Sequence, residues 1–327
     1  MIEPLVSVII PNWNGRRFLG ACLDSVFEQT YKNFEAIVID CASNDGSADF
    51  IKDNYPWVML IQLAEDHGPT QAINLAARKA NGKLVLILNN DITLPKDTSQ
   101  TLVDELRGED MVLCPIELTM EGKYRHAGVT TAIGEFLYRL FKALGISRAP
   151  GMCTFYPSTA CCLTTRRLIL DNPLNENFFM YEDIEWGWRL NLTGARVEVS
   201  PNCFFRHEGG GTKPPFSPQQ SLLHARSWIA SCYICFRRPT FLLLLPLILG
   251  FFSYNLTRYA LKGKYRSFLW HIKGFFDFLK KIRLFDKDRI VAQQGRALGD
   301  LEMIKLMIDA EYLNERMKAE VTKRDIS

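Results

Sequence analysis

No Gly-X-Gly-X-X-Gly follows the first apolar run of this chain; Pro11-Asn12-Trp13-Asn14-Gly15 stands there instead, which argues against a dinucleotide-binding Rossmann fold. A Walker A sequence is missing too, and with it the P-loop nucleotide hydrolases. The nine cysteines include no paired Cys-X-X-Cys at zinc spacing. The lone pair Cys232 and Cys235 sits in an apolar stretch and reads as a helix face. Charge of one sign is scarce: the formal net charge is +3, and the first 200 residues hold no Lys/Arg block, so nucleic acid is not an expected partner. The chain opens directly on a strand pattern, without a basic, then apolar, then small-residue leader. That reads as a reducing, cytoplasmic compartment, where the sequons at Asn191 and Asn255 are silent.

What is present is a full set of core-forming residues, 47% hydrophobic, arranged in a pattern. Three runs are too apolar on both faces to be surface strands: Val6 to Ile10, Phe34 to Ile39 and Leu84 to Leu88. Such runs read as parallel strands. Each stops at a polar cluster, respectively Pro11-Asn12-Trp13-Asn14, Asp40 to Asp45, and Asn89-Asn90-Asp91. In an open α/β sheet, ligands bind beyond the carboxyl ends of the strands, so the three clusters should line one site.

Residues 1–115 alternate strand and helix. Asn14 and Ser47 are candidate caps for the first two helices, Val58 to Leu63 reads as a third strand, and a helix runs from about Pro69 to Ala80 before the Asn81-Gly82 stop. Repeated βα units give an α/β fold with a doubly wound, mostly parallel sheet. Residues 116–218 break into short β pieces, with a turn at Glu121-Gly122, a strand within Phe155 to Leu163, and a helix from Glu182 carrying Ile184, Trp186, Trp188 and Leu190. Residues 219–289 shift again. The apolar run from Thr240 to Phe252 covers about 13 residues and is broken by Pro246 and Gly250, whereas a bilayer-spanning helix needs about 20. Basic residues flank it on both sides, so a re-entrant or interfacial segment is expected. Phe268, Leu269, Ile272, Phe275, Phe276, Leu279 and Ile282 recur at helical spacing among lysines, as in a helix lying in a membrane surface. Residues 290–327 form a polar helical tail, which leaves room for a homodimer.

Ser7 to Asn14, Val38 to Asp40 followed by Ala42 to Ser47, Asp66 to Asn74, Leu86 to Asp91, Phe178 to Arg189 and His207 to Thr212 together resemble the inverting glycosyltransferase family 2, which has a GT-A fold. The likeness covers about the first 215 residues. Its branch is similar to bacterial rhamnosyltransferase-like enzymes of surface-polysaccharide assembly, with rhamnose one donor sugar that this implies. The resemblance implies that Asp40 accepts a hydrogen bond from the nucleotide base, that Asp45 holds its loop, and that Pro11, Asn12, Asn14, Asn74, Asn89 and Asn90 contribute to the nucleotide-sugar site. Without it, Asp40 or Asp45 would read as an Asx turn. Asp91 closes a motif that is commonly Asp-X-Asp but here begins with Asn89. Asp91 and His207 would therefore hold a Mg²⁺ or Mn²⁺ ion bridging the diphosphate, with a weaker donor set than usual.

Acidic residues in a first helical turn are commonplace, because they complement the helix dipole. The resemblance gives the pair another role: Asp183 as general base, with Glu182 orienting it or touching the acceptor. Trp186 and Trp188 read equally as an aromatic wall for the acceptor sugar or as core, and Arg189 as a phosphate contact or the partner of a carboxylate. The implied function is transfer of a sugar from a nucleoside diphosphate-sugar donor to a lipid-linked saccharide acceptor, at the cytoplasmic face of the inner membrane. The alternatives are a soluble or protein acceptor, or a catalytically silent sugar-nucleotide-binding partner.

Overall fold

The computed structural model describes residues 3–127, 131–146, 151–179, 181–209 and 217–323. Met180 and Gly210 to Thr212, which belong to two of the quoted motifs, and residues 324–327 of the expected tail lie outside the described residues.

The first half builds the sheet. The strands are β1 (Val6–Asn12), β2 (Phe34–Cys41), β3 (Met59–Leu63), β4 (Leu84–Leu88), β5 (Ile92–Thr93), β6 (Met111–Leu118), β7 (Tyr124–His126), β8 (Cys161–Thr165) and β9 (Arg196–His207). They hydrogen-bond in the order β3-β2-β1-β4-β8-β6-β9-β5, with β7 also on β6. The expected parallel half is β3-β2-β1-β4. Beyond β4 the sheet is mixed: β8 inserts antiparallel, pairing Leu84 with Thr165 and Leu88 with Cys161. β6 runs antiparallel to β8 and parallel to β9, and β5 runs antiparallel to β9. The turn at Gly122, which takes φ 78°, joins β6 to β7 as expected.

Alternation along β1 explains the layering, because successive side chains point to opposite faces. Val6, Val8 and Ile10 bury against α1 (Arg16–Phe27), α2 (Ser47–Asn54) and α4 (Thr98–Glu105). Ile9 packs on the other face with α3 (Gly68–Lys79), α6 (Arg166–Asp171) and α7 (Glu182–Leu192). Neither expected cap holds the position assigned to it. Gly15 is the N-cap of α1, the Asn14 side chain being drawn to a neighbouring loop; Gly46, at φ 81°, is that of α2, and Ser47, the first residue of the helix, donates its hydroxyl to Asp45.

The remaining helices are α5 (Ala132–Ala143), α8 (Pro218–Cys235), α9 (Arg238–Leu261), α10 (Tyr265–Lys280), α11 (Ile282–Gln294) and α12 (Asp300–Lys323). Two expectations change here. The apolar run is not broken at Pro246 or Gly250: α9 is one helix of 24 residues passing through both. Its most apolar 18-residue window has a mean hydropathy of 1.7 and is 11% buried, so by length and composition it is long enough to cross a membrane. The hydrogen bond that Pro246 forfeits is to the carbonyl of Leu242, whose side chain is exposed, and a carbonyl there is not stranded in the core.

The second change concerns α10. It turns its small and polar side inward, burying Ser267, His271, Gly274 and Phe278 against α8. A Cβ on Gly274 would meet the Ala225 Cβ at 2.9 Å. Leu269, Phe276 and Leu279 of the expected apolar stripe stay exposed. α12 closes the structure by packing Leu313, Met317 and Val321 against Ile116, Leu118 and Val199 of the sheet.

Candidate active site

A cavity of ≈ 360 Å³ opens where β1, β2 and β4 end, the place the strand pattern predicts. Pro11 and Asn12 line it from β1, Cys41 from β2, and Asn89, Asn90 and Asp91 from the loop after β4. Asn12 ties these loops together. Its amide donates to Asp40 Oδ1 at 2.8 Å and to Ser43 Oγ at 3.3 Å, and its carbonyl accepts from Asn90 Nδ2 at 2.7 Å. Only glycine fits at position 15, since a Cβ there would collide with the Asn12 and Asn90 side chains.

Asp40 is buried beneath this network and also accepts from the Ser43 backbone N–H at 3.2 Å. Asn14, at φ 48°, accepts from the Asn44 backbone N–H at 2.9 Å, and Asp45 accepts from the backbone N–H groups of Arg16 and Ser47 at 2.9 and 3.1 Å. Asp40, Asn14 and Asp45 therefore fix the loops and do not line the cavity. Asn74 is placed elsewhere. It is buried in α3, donates to the Leu174 carbonyl at 2.8 Å and Glu176 Oε1 at 3.0 Å, and accepts from the Leu174 N–H at 3.0 Å. It tethers the segment before α7 and is a correction to the nucleotide-site set.

On one wall, His207 at the end of β9 faces Asp91, with Nε2 to Oδ1 at 3.2 Å. Its Nδ1 meets Glu117 Oε1 at 2.8 Å, and Glu117 also pairs with His126 at 2.8 Å and Arg125 at 2.9 Å. Burial alone would lower the His207 imidazole, but the hydrogen bonds to Asp91 and Glu117 outweigh it and hold it up, at about 9. Burial would raise Glu117; its two histidine partners instead hold it well below the usual carboxylate range.

Glu182 and Asp183, the first two residues of α7, line the same cavity. Thr159 Oγ1 donates to Glu182 Oε1 at 3.3 Å, and the Ile184 N–H donates to Asp183 Oδ1 at 2.9 Å. Burial raises the Glu182 carboxyl, with the adjacent Asp183 charge adding to it, and burial likewise raises Asp183 against the pull of the Ile184 N–H. Tyr181, just before the pair, is held at φ 64°. Among the described residues the positive-φ non-glycines are Asn14, Ala42 and Tyr181, all beside this cavity, and strain of that kind collects at functional sites.

The acceptor wall expected of Trp186 and Trp188 is corrected to core. Both are fully buried; Trp186 Nε1 donates to the Asn172 carbonyl at 2.8 Å, and Trp188 packs edge-on against Phe155 and Phe236. Two residues apart, Trp186 and Trp188 point to different sides of α7 and enter separate core clusters, so the helix is buried on both sides. Arg189 takes the alternative offered for it, pairing with Glu185 Oε1 at 2.9 Å and donating to the Pro173 carbonyl at 2.7 Å.

Among the described residues no cluster of three His, Cys, Asp or Glu is poised to hold a metal ion. Asp91 and His207 nevertheless fit one that completes its shell with donor phosphates and water, the usual mode for Mg²⁺. Their donor atoms already converge on the cavity, and Glu117 orients His207 through the far ring nitrogen, as carboxylates commonly do behind ligating histidines. Glu117, His126 and Thr159 escaped sequence reasoning. Glu117 does carry a signal in hindsight, as the single charged residue of the fully buried strand β6.

Residues 7–166 match the family model Glycosyl transferase family 2. Over 98 residues the chain is 33% identical to a putative teichuronic acid biosynthesis glycosyltransferase, TuaG, of Bacillus subtilis, covering 29% of this chain and 39% of that protein. Over 236 residues it is 28% identical to the O-antigen biosynthesis protein RfbC of Myxococcus xanthus, covering 66% and 18%. The matches thus span less than two-fifths of these relatives' own length. Among solved structures, S. aureus TarS 1-349 in complex with UDP-GlcNAc superposes with a TM-score of 0.56 at 18% identity, over 98% of this chain and 92% of that one. The mannosyltransferase PcManGT of Pyrobaculum calidifontis, in complex with GDP-Man and Mn2+, gives 0.54 at 18%, over 96% and 88%. At such identities the likeness is one of fold. On a GT-A-like sheet with an appended helical region, this chain is thus similar over residues 7–166 to glycosyl transferase family 2.

Proposed function

We propose that the protein is an inverting glycosyltransferase that moves a sugar from a nucleoside diphosphate donor to a lipid-linked saccharide in bacterial cell-surface polysaccharide synthesis, working at the cytoplasmic face of the membrane. The observation that carries this reading is that one cavity is lined by both the Glu182–Asp183 acidic pair and the Asp91–His207 pair. The relatives' roles in teichuronic acid and O-antigen synthesis support the polysaccharide setting. Rhamnose is the donor sugar to test first.

Asp183 takes the proton of the acceptor hydroxyl as that oxygen attacks C1 of the sugar, and the nucleoside diphosphate leaves from the opposite face, inverting the centre in one displacement. Burial suits Asp183 to the task, because a raised carboxyl is a stronger base once ionised. Glu182, raised further by its neighbour, stays protonated longer and can donate a hydrogen bond to the acceptor. The Asn12–Asn90 bridge keeps the β1 and β4 loops in register under the donor. A Mg²⁺ or Mn²⁺ held by Asp91 and His207 would offset the charge of the departing diphosphate.

The test is nucleoside diphosphate release from a panel of sugar nucleotides that includes dTDP-rhamnose, with detergent-solubilised protein and Mn²⁺. A donor hydrolysed slowly alone and faster with acceptor supports transfer. No release from any donor, despite donor binding by thermal shift, would instead show a silent binding partner.

A further inference from the structure

A second cavity, of ≈ 290 Å³, lies between α5 and α9 and is lined by Ala132, Ile133, Phe136, Leu247, Gly250, Phe251 and Tyr254. Tyr254 offers the one side-chain polar atom in this set. The groove opens onto apolar side chains that stand in solvent on both helices, Phe136 and Leu140 on α5 and Leu242, Leu243 and Leu249 on α9. Two ring contacts connect it to the candidate active site. Phe251 in the groove packs on His224, their ring centroids 6.4 Å apart; His224 packs edge-on against Tyr181 at 5.0 Å; and Tyr181 lines the catalytic cavity beside Glu182. The two cavities are thus separated by a single aromatic partition.

We infer that this groove holds the first part of the hydrocarbon chain of a long-chain isoprenyl phosphate acceptor, while the saccharide at its head reaches over the partition to Asp183. The inference rests on the transferase reading above. Three features choose this occupant. The lining is apolar, so it takes a hydrocarbon and not a sugar. The mouth is continuous with an exposed apolar surface, as a chain entering from a membrane requires. The inner end abuts the wall of the catalytic cavity, so the ligand must change from apolar to polar over a short length, as a saccharide joined to a lipid does.

Gly250 gives the groove its depth. A Cβ built there meets nothing within 4 Å, although a glycine inside a helix costs about 1 kcal/mol relative to alanine. A Cβ at this position displaces no neighbour, a leucine extends from it to occupy the groove, and leucine favours the helix.

The experiment is photo-crosslinking of wild type and Gly250→Leu with a benzophenone-bearing isoprenyl phosphate in detergent micelles, mapped by peptide mass spectrometry. Nucleoside diphosphate release is followed in parallel. Labelling concentrated on the α5 and α9 peptides, competed by unlabelled isoprenyl phosphate, and reduced at least ten-fold in Gly250→Leu supports the groove. Labelling spread along α10 and α11, labelling competed equally by phosphatidylglycerol, or labelling unchanged in Gly250→Leu overturns it. A thermal midpoint for Gly250→Leu at or above the wild-type value separates lost binding from lost fold. Should Gly250→Leu unfold, Phe136→Trp blocks the same groove from α5 and is judged by the same ten-fold loss. Nucleotide release without groove labelling sinks the groove alone; groove labelling without release from any donor sinks the transferase reading alone.

Discussion

Asp183 carries the sharpest prediction at the scale of single residues. Asp183→Asn is expected to bind donor normally and to lose about 10²- to 10⁴-fold in turnover, the usual contribution of a positioned base; near-normal turnover would remove it from the mechanism. Because burial raises the Asp183 carboxyl, its basic form fills only as pH climbs above the ordinary carboxylate range. The acid limb of kcat against pH should therefore lie higher than for an exposed aspartate, and Asp183→Asn should flatten it. Glu117→Gln removes the charge behind His207 and should weaken apparent Mn²⁺ affinity about 10- to 100-fold, the range for lost support behind a metal ligand. Titrating Mn²⁺ in the nucleotide-release assay reads this directly, and full activity in excess EDTA would show that no metal is used. Asp91 was marked by the end of an apolar run, whereas Glu182 and Asp183, commonplace at a helix start, were marked by the family resemblance alone. Glu117 was not, for its neighbours make it look like one more position in a buried strand. Asn74 misled for the opposite reason: a motif supplied a role that its three hydrogen bonds to the 174–176 segment do not share.

At the scale of elements, α7 is the part whose placement matters most. Replacing a helical glycine by alanine ordinarily stabilises by about 1 kcal/mol. At Gly187 the sign should reverse, since the new Cβ would run into Tyr156 and lie 2.5 Å from Pro157 Cδ. Overpacking of this kind costs about 1–3 kcal/mol, so Gly187→Ala should unfold at lower urea and, by pushing α7 outward, also lose activity. An unchanged urea midpoint would show that the segment at Tyr156 yields freely. The βα units up to β4 could be read from periodicity, since each is local in sequence. The insertion of β8 between β4 and β6 could not, because strand order depends on pairings about 50 to 80 residues apart and not on any pattern within either strand. The length of α9 was hidden by Pro246 and Gly250, two residues that usually end helices but here sit on a largely exposed one.

For the whole molecule, the exposed apolar residues of α9 and α10 predict attachment to a membrane surface. The triple variant Leu243→Glu, Leu269→Glu, Phe276→Glu should leave the fold intact, because all three side chains are more than half exposed, and should move the protein from co-sedimenting with anionic vesicles into the supernatant. Persistent co-sedimentation would show that α9 inserts more deeply than a surface helix. High salt alone should release the wild type only in part, as apolar insertion outlasts screening. Removing everything after α8 is not a clean alternative, since Phe278, Phe285, Met303, Met307 and Leu313 of the later helices are core residues. The sequence marked this region as amphipathic but could not show which face meets the protein, because α8 accepts the small side of α10.

The closure of the sheet by α12 sets a timetable for folding. Tyr124 donates to the Asn314 carbonyl at 3.0 Å across 190 residues of chain, and Tyr138 bonds Glu315 across 177. Contacts so distant in sequence form slowly, because much loop entropy is lost before they are gained. The pairings among β1 to β4 close over shorter stretches, the most distant joining β1 to β4. On dilution from denaturant, the β1–β4 half should therefore gain protection from hydrogen exchange first, and the half bearing Asp183 only after α12 has docked, leaving an interval in which, on the proposed transferase reading, a donor site would exist before its base.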